Sequence, residues 1–190
     1  MAKFSDRVQS VRASISPRGT FQWVDVAIDP LAAVTDQAAL LRDISDFLST
    51  VRKISHLIFV QLQQRVPVDL RLTVFVDPLV PRENVRRSVM EALGNRVQSN
   101  GKLAFFHPDR LTFGRPIRSN TIIEWILKLP GVVDAKVTFL GRLGDTAHIT
   151  NDKEAWQEFT LQLNSTEIAE LDHCGGKDAG RLCLTLEGGR

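Results

Sequence analysis

Two short segments of the sequence repeat each other, and each one ends a strand pattern just before a helix pattern. VAIDPL at residues 26–31 and VFVDPL at residues 74–79 begin 48 residues apart. Asp-Pro closes an extended run, because proline lacks the backbone donor that a strand needs. A third copy is missing, whereas stacked repeats generally need at least three. This two-copy repeat therefore predicts two similar strand-helix units in tandem and not a solenoid.

The strand patterns around these repeats differ in how strictly they alternate. Residues 66–76 carry apolar side chains at positions 68, 70, 72, 74 and 76, so we expect that face to meet the core. Residues 21–28 are rich in β-branched and aromatic side chains and alternate only in part. Weaker patterns predict further strands or a short apolar run at residues 11–15, 57–62, 132–140, 156–163 and 181–186.

Two segments have the apolar spacing of amphipathic helices. Residues 36–53 form one stripe, with Asp36 or Thr35 as the cap, and residues 82–97 form a second stripe of residues four apart. Because strands alternate with helices while several neighbouring strands are joined by short turns, the predicted fold class is α+β. We expect mixed or antiparallel sheets with the helices packed on one face.

A division near residue 65 would give an N-terminal strand-helix-strand lobe, residues 1–65, and a C-terminal α+β lobe, residues 66–190. No stretch rich in Gly, Ser or Pro marks this boundary. The two lobes therefore remain compatible with packing as one unit. Residues 141–153 form the most loop-like segment of the second lobe.

The stretch at residues 103–131, LAFFHPDRLTFGRPIRSNTIIEWILKLPG, concentrates aromatic residues and turn formers. Proline and aspartate in His107-Pro108-Asp109 predict a turn, in which His107 bonds the backbone. Ser119 or Thr121 could cap the following helix, and Thr121 has the spacing of a capping box with Glu124. Pro130-Gly131 predicts its end.

Composition narrows the classes of function that the chain can have. The formal net charge is only +2 over 190 residues, which does not favour nucleic-acid binding. No apolar run reaches the length of a spanning helix, and no apolar signal segment begins the chain. We therefore expect synthesis in a reducing cytoplasm, with Cys174 and Cys183 as free thiols.

Few residues have the arrangement of a reactive site. Four residues near the C-terminus are of types that bind zinc, although paired ligand spacing is missing: Asp172, His173, Cys174 and Cys183. His107 and Asp109 could be a base and its orienting group, but no nucleophile adjoins them. Cys183, between leucines, is interpreted as a small buried residue. The sequence predicts no enzyme, no metal and no cofactor.

Arginines form the most positive part of the sequence, on the second predicted helix and in the stretch that follows it, where Arg110 also lies. Solvated surface is the simplest interpretation. An interface is the alternative, because arginine pairs bidentately with carboxylates and is enriched at protein contacts. The candidate interface residues are Arg82, Arg86, Arg87, Arg96, Arg115 and Arg118. A nucleic-acid accessory would also use them, but the nearly balanced charge argues against it.

Four groups of segments follow one another along the chain: FQWVDVAIDP, VPVDLRLTVFVDP, FFHPDRLTFGRP with the helix ending in LPGV, and EIAELD with the closing GRLCLTLEGGR. Together they resemble the C-terminal portion of the baseplate J-like family of contractile phage tails and contractile injection systems. The resemblance implies a structural wedge subunit that assembles around the central spike and couples baseplate to sheath. The alternative is a free-standing α+β domain that binds a ligand or catalyses a reaction.

The resemblance also implies partners and residue roles. The partners would be a second J-like subunit and proteins near the sheath and the spike hub, in a six-fold hetero-oligomer without nucleic acid or membrane insertion. The subunit would be made in a bacterial cytoplasm. The particle would be a phage tail or a related structure, extracellular or attached to a membrane after assembly. Members of the family are usually longer at the N-terminal side, so we expect a trimmed, split or partial subunit. The implied fold determinants are Phe105, Phe106, His107, Pro108, Phe113, Gly114 and Gly131.

Overall fold

A computed structural model of the chain describes residues 4–31, 33–145, 158–172 and 180–190. Within these ranges the elements follow in the order β1 (Val8–Arg18), β2 (Phe21–Pro30), α1 (Gln37–Val51), β3 (His56–Leu62), β4 (Gln64–Val76), α2 (Arg82–Leu93), β5 (Ile117–Arg118), α3 (Ser119–Ile126), β6 (Val132–Arg142), β7 (Thr160–Leu161), β8 (Glu167–Glu170) and β9 (Arg181–Gly188). The fold is α+β with mixed sheets, and the predicted fold class is confirmed.

The first sheet has the order β1-β2-β3. Strands β1 and β2 form an antiparallel hairpin, while β2 and β3 run parallel because α1 crosses between them. Asp36 caps α1 by accepting a hydrogen bond from the Ala39 amide at 2.8 Å, as one of the two predicted caps requires. Leu40 and Ile44 of α1 pack on the apolar face of the sheet.

The second sheet is built around β4. Strand β6 pairs with it antiparallel along one edge, and β8 and β9 follow one another parallel to it along the other edge. The alternating side chains of residues 66–76 are buried on one face, which confirms the prediction for this strand. Helices α2 and α3 cover that face through Val85, Val89 and Ile122, among others.

Both copies of the repeated segment, VAIDPL and VFVDPL, close a strand and precede a helix, as predicted. Their aspartates differ in environment. Asp77 accepts a hydrogen bond from the Leu79 amide at 2.8 Å and shapes the turn before α2. Asp29 is buried, and the Gln63 side chain donates a hydrogen bond to it at 2.6 Å. Burial raises the pKa of Asp29, whereas Arg65 opposes that rise.

Helix α2 is shorter than the sequence predicts. It ends at Leu93, because Gly94 adopts an extended conformation, with φ −70° and ψ −170°. Val97 was expected on the buried stripe but is 56% exposed, and it forms a bridge with Leu103. The predicted continuation to Val97 is therefore wrong, since backbone conformation at one glycine overrides the apolar spacing.

Helix α3 begins at Ser119, one of the two predicted starts, and the capping box between Thr121 and Glu124 is wrong. Arg118 occupies the cap position, and no side chain caps the helix. The Ser119 hydroxyl instead accepts a hydrogen bond from the Phe159 amide at 3.0 Å. This contact joins the start of α3 to the segment before β7, so a tertiary contact replaces the local cap.

Several strand boundaries also differ from the predictions. Strand β1 extends beyond the predicted residues 11–15 at both ends, and β6 continues to Arg142, into the segment predicted as a loop. Of the strand predicted at residues 156–163, only Thr160–Leu161 is a strand in the described part of the chain. Strand β8 was not predicted, because four residues carry too little pattern. Residues 146–157 and 173–179, with Trp156, His173 and Cys174, lie outside the described residues.

Cys183 was interpreted as buried, and this is wrong. It is an exposed free thiol on β9. Leu182, Leu184 and Leu186 pack against the core, so the residues between them point to the opposite face of the sheet.

Candidate functional site

The turn-rich stretch at residues 103–118 forms a loop beside α2 and α3, and its aromatic residues are buried. Phe105 and Phe106 lie in the main core with their rings edge to face, 5.0 Å apart. Phe113 packs in a smaller cluster with Ala27 and Ile168, which joins the two sheets. The aromatic side chains thereby hold the loop on the body of the protein.

His107 takes part in the turn that the sequence predicts. Its Nδ1 atom accepts a hydrogen bond from the Asp109 amide at 3.2 Å, and the same atom lies 3.7 Å from an Asp109 carboxylate oxygen. The hydrogen bond from the Asp109 amide therefore holds the imidazole against the backbone of its own turn. Throughout residues 4–31, 33–145, 158–172 and 180–190, no three His, Cys, Asp or Glu side chains form a group that could hold a metal ion.

Two glycines of the stretch hold conformations that other residues rarely adopt. Gly114 has a φ of +64°, and a Cβ there would lie 3.0 Å from the Cα of Ser165. Gly131 has a φ of +82°, and a Cβ there would lie 2.9 Å from a methyl carbon of Val80. Both positions therefore require glycine for backbone conformation and for close packing.

The structure divides the six predicted interface arginines among three places. Arg82 lies beside the C-terminal residues, with its guanidinium hydrogen-bonded to the Gly188 carbonyl and its amide to the Arg190 carbonyl at 3.0 Å. Arg86, Arg87 and Arg96 line one cleft, and Arg115 and Arg118 line another. The predicted patch is thus not one continuous surface.

We call the second of these the basic cleft. It has a volume of about 590 Å³ and lies between the loop at residues 110–118 and the first turn of α3. Its lining consists of Phe105, Arg110, Leu111, Thr112, Arg115, Pro116, Ile117, Arg118, Thr121, Leu163 and Ala169. Among the described residues, three arginines and no carboxylate line it, so this part of the surface carries positive charge.

Arg110 has a defined place in the basic cleft, although the sequence placed it only in the positive stretch and not among the candidate interface residues. Its guanidinium lies over the Trp125 ring, 3.7 Å from the centroid, and 5.4 Å from the centroid of Phe105. The Trp125 indole in turn donates a hydrogen bond to the Ala92 carbonyl at 3.1 Å. Burial, and then the charge of Arg115, lower the pKa of Arg110.

The other cleft, which we call the α2 cleft, is mixed in charge. It has a volume of about 520 Å³. Both arginines and acidic residues line it in the described part of the chain: Glu83, Arg86, Arg87, Glu91, Arg96 and Asp172. Arg86 and Glu83 form an ion pair at 3.6 Å. Glu91 accepts a hydrogen bond from the Ser99 amide. This surface is consequently much closer to neutral than the basic cleft.

Comparison with known proteins finds little at the level of sequence. No family model matches the chain, and no curated protein matches it. Among solved structures, a chain in the six-fold symmetrised cryo-EM structure of the anti-feeding prophage baseplate is similar over 92% of this chain and 38% of that chain. The identity is 13% and the TM-score is 0.41. These values are too low for the likeness to establish a family or a function.

An ion pair with a buried carboxylate, which sequence analysis missed, lies beside the loop at residues 103–118. Arg142 of β6 binds both carboxylate oxygens of Glu167 of β8, at 3.0 and 2.7 Å, and the Asn164 amide donates to the same carboxylate at 2.8 Å. The Arg142 hydrogen bonds lower the pKa of Glu167 to about 2 although burial opposes this. The Glu167 carbonyl accepts a hydrogen bond from the Gly114 amide at 3.0 Å.

A second missed group lies on the outer face of β4. Asp69 is buried, and both Arg71 and Arg181 donate hydrogen bonds to its carboxylate. Burial alone would raise the pKa of Asp69, but the two arginines hold it below its usual value. Arg181 lies 112 residues from Asp69 along the chain. A pair so distant has no local signal in the sequence.

Proposed function

We propose that this chain is a structural subunit of the baseplate wedge of a contractile injection system or phage tail. It assembles around the central spike and connects the baseplate to the sheath, without catalytic turnover. The partners are other wedge proteins, including a second subunit of the same type and proteins near the sheath and the spike hub. The finished particle is a phage tail or a phage tail-like assembly.

One observation carries this proposal: the two segments with the strongest family resemblance contact each other in space. The Gly114 amide in FFHPDRLTFGRP donates to the Glu167 carbonyl at the start of EIAELD, and Phe113 packs on Ile168. The far end of the first segment, Gly131, packs against Val80, whose carbonyl accepts a hydrogen bond from the Arg190 amide at 3.2 Å. A shared structural unit explains why these motifs occur together in one sequence.

The residue roles follow from the same contacts. Phe105, Phe106, His107, Pro108, Phe113, Gly114 and Gly131 act as fold determinants in this proposal. The six candidate interface arginines then serve contacts with other subunits, through two clefts and the C-terminal residues. No helix in the described ranges combines the length and apolar character that crossing a bilayer requires.

Affinity purification of the tagged chain from its native host tests the proposal. Mass spectrometry of the eluate should find sheath, tube and spike proteins, and negative-stain images should show sheathed particles. A lone monomer, recovered from a lysate that contains such particles, would contradict the wedge assignment.

A charge-reversal pair makes the same experiment specific to a surface. Arg86→Glu with Arg87→Glu changes the α2 cleft, where Arg86 forms a surface ion pair with Glu83 that contributes at most about 1 kcal/mol. We expect normal melting and reduced recovery of sheath and spike proteins. Arg42→Glu with Lys53→Glu, at exposed positions on and just after α1, is the matched control. Unchanged recovery for the first pair would mean that these arginines are only solvated surface.

A further inference from the structure

We propose that the basic cleft binds a segment of a partner protein in which carboxylate side chains flank an apolar side chain. This inference names the chemistry of one partner contact and so rests on the proposed assembly function. It assigns the recognition to Arg110, Arg115 and Arg118 at the rim and to the apolar residues beneath them.

Within the described ranges, no carboxylate of the protein itself compensates the charge of the basic cleft. Among the described residues, Arg65, Arg142 and Arg181 each form an ion pair with an acidic side chain. The three arginines of the basic cleft form no ion pair within those ranges. Like charges held together gain from an anionic ligand, because it removes their mutual repulsion.

The floor of the basic cleft is apolar, so a ligand that fits it carries an apolar group as well as a negative charge. Phe105, Ile117 and Ala169 are largely buried beneath the rim, and Leu111 and Leu163 are half-buried at its walls. A free anion would leave this surface in water, whereas an apolar side chain between two carboxylates would cover it. The volume of about 590 Å³ lies within the range of sites that enclose several ligand groups.

The rim is organised before any ligand arrives. Arg110 is held against the Trp125 ring, and Arg115 follows directly after Gly114, whose positive φ and hydrogen bond to Glu167 set the course of the chain. Arg118 lies in β5, which pairs with β7. Side chains on fixed backbone lose less conformational entropy when they bind, which favours affinity.

The start of α3 adds to the positive potential. Arg118 and Thr121 line the cleft at the start of this helix, and no side chain in the described ranges caps it. The Phe159 carbonyl accepts a hydrogen bond from the Ser119 amide, so the other amides of the first turn are the ones available to a ligand. Unsatisfied amides at a helix start carry partial positive charge and attract anions.

A peptide fits this surface better than a nucleic acid does. Trp125 does not line the cleft, and Arg110 already lies over its ring at 3.7 Å from the centroid, so a base would have to displace this guanidinium in order to stack there. The apolar residues of the lining are aliphatic except for Phe105, which is buried. Three arginines around an apolar floor suit a short acidic segment, whereas nucleic acid requires a longer basic stripe.

Fluorescence anisotropy with a labelled peptide of two Glu-Leu-Glu units separated by glycine tests the inference on the whole chain. We expect saturable binding at low salt, and a dissociation constant at least about tenfold higher for Arg115→Gln with Arg118→Gln. Both side chains are exposed, so that variant should keep the melting temperature of the unsubstituted protein. Arg42→Gln, an exposed arginine on α1, should bind within about twofold of it.

Two matched peptides separate the charged from the apolar contribution. Replacing every Glu with Gln removes the carboxylates, and replacing every Leu with Ser removes the apolar groups, and each change should weaken binding at least about fivefold. No binding of the Glu-Leu peptide below about 1 mM, or equal binding by the double variant, overturns the inference. Tighter binding of a twelve-nucleotide single strand, lost in the same double variant, overturns it in favour of nucleic acid.

The outcomes for the two proposals are independent. If the tagged chain enters sheathed particles while the peptide fails to bind, only the inference about the basic cleft is wrong. If the peptide binds with the expected dependence on Arg115 and Arg118 while the chain purifies alone, the wedge assignment is wrong and the basic cleft stands.

Discussion

Phe106 is among the largest fully buried side chains of the protein, at 1% exposure, and it holds the loop at residues 103–118 on the core. Its amide also donates a hydrogen bond to the Gly94 carbonyl at 3.1 Å, so the loop and the end of α2 are fastened at one residue. At the scale of single residues, stability therefore depends on a few side chains in the loop.

We expect Phe106→Ala to lower the free energy of unfolding by about 3–5 kcal/mol, because it removes buried area and leaves a cavity. Phe21→Ala, at a position 47% exposed, is the matched control and should cost less than about 1 kcal/mol. Urea denaturation followed by circular dichroism measures both. Near-normal stability of the Phe106 variant would contradict its role as a fold determinant.

Gly131 offers a second test at this scale, because its backbone conformation and its contact can be separated. Gly131→Ala introduces both a strained φ and a close approach to Val80, whereas Gly101→Ala introduces only the strain, since no atom lies within 4 Å of its Cβ position. We expect the Gly101 variant to lose about 1 kcal/mol and the Gly131 variant clearly more. Equal losses in urea denaturation would mean that contact with Val80 is easily relieved.

At the scale of elements, Arg142 and Glu167 fasten β6 to β8, two strands that do not pair with each other in the sheet. The contact crosses the end of β4, and it also holds Asn164 and, through the Glu167 backbone, Gly114. An ion pair in which arginine binds both oxygens of a buried carboxylate is stronger than an ion pair on the surface. Loss of the arginine would leave the carboxylate charge buried without its partner.

The pH dependence of stability should reveal this ion pair. Because the pKa of Glu167 falls from 4.5 to about 2 on folding, the unfolded chain takes up the proton first as the pH decreases. The stabilisation, at most about 3 kcal/mol, is therefore complete above pH 4.5 and is lost as the pH falls toward 2.

Glu167→Gln should consequently reduce stability at pH 7 and reduce the loss of stability between pH 4.5 and 2, as measured by denaturant unfolding at each pH. Glu124→Gln, at an exposed position on α3, should leave the pH profile unchanged. If the Glu167 variant followed the profile of the unsubstituted protein, the carboxylate would not be linked to folding in this way.

At the scale of the whole molecule, we propose that the lobes at residues 1–65 and 66–190 unfold together. Each has its own apolar cluster, one around Ile28 and Leu40 and one around β4. A third cluster joins them, in which Ala27 of β2 packs with Phe113 and Ile168. This shared cluster couples the lobes, because separating them would expose its apolar surface to water.

Proteins with a single tryptophan can test that coupling. Trp23 reports on the first sheet, where it stacks on Phe59 at 4.4 Å, and Trp125 reports on the main core. With the other tryptophans changed to phenylalanine, we expect the two fluorescence transitions in urea to coincide. If these two single-tryptophan proteins, with no other substitution, unfolded at different urea concentrations, the lobes would fold independently.

Ala27→Asp should make the Trp23 transition occur at lower urea than the Trp125 transition, since it places a charge in an apolar cluster. Ala33→Asp, at an exposed position after β2, is the control and should leave the transitions together.

The predictions from sequence succeeded where a pattern is long and local. The alternation of residues 66–76 identified a strand and its buried face, and Asp36 identified the start of α1, because both depend on neighbouring residues only. They failed where a distant group intervenes. Ser119 bonds the Phe159 amide and leaves α3 without a side-chain cap, and β8 is a strand only because β4 lies beside it.

The sequence by itself determined the long extended and helical segments, the apolar face of each, and the glycines and prolines that mark turns. These properties depend on periods of two or 3.6 residues and on the conformational limits of single residues. Tertiary structure alone decided that Arg110, Arg115 and Arg118 share one cleft while Arg86, Arg87 and Arg96 share another. It also joined Glu167 to Arg142 and Asp69 to Arg181. Such contacts depend on the path of the chain between distant residues, because a side chain's partners are set by where the packed core places its backbone.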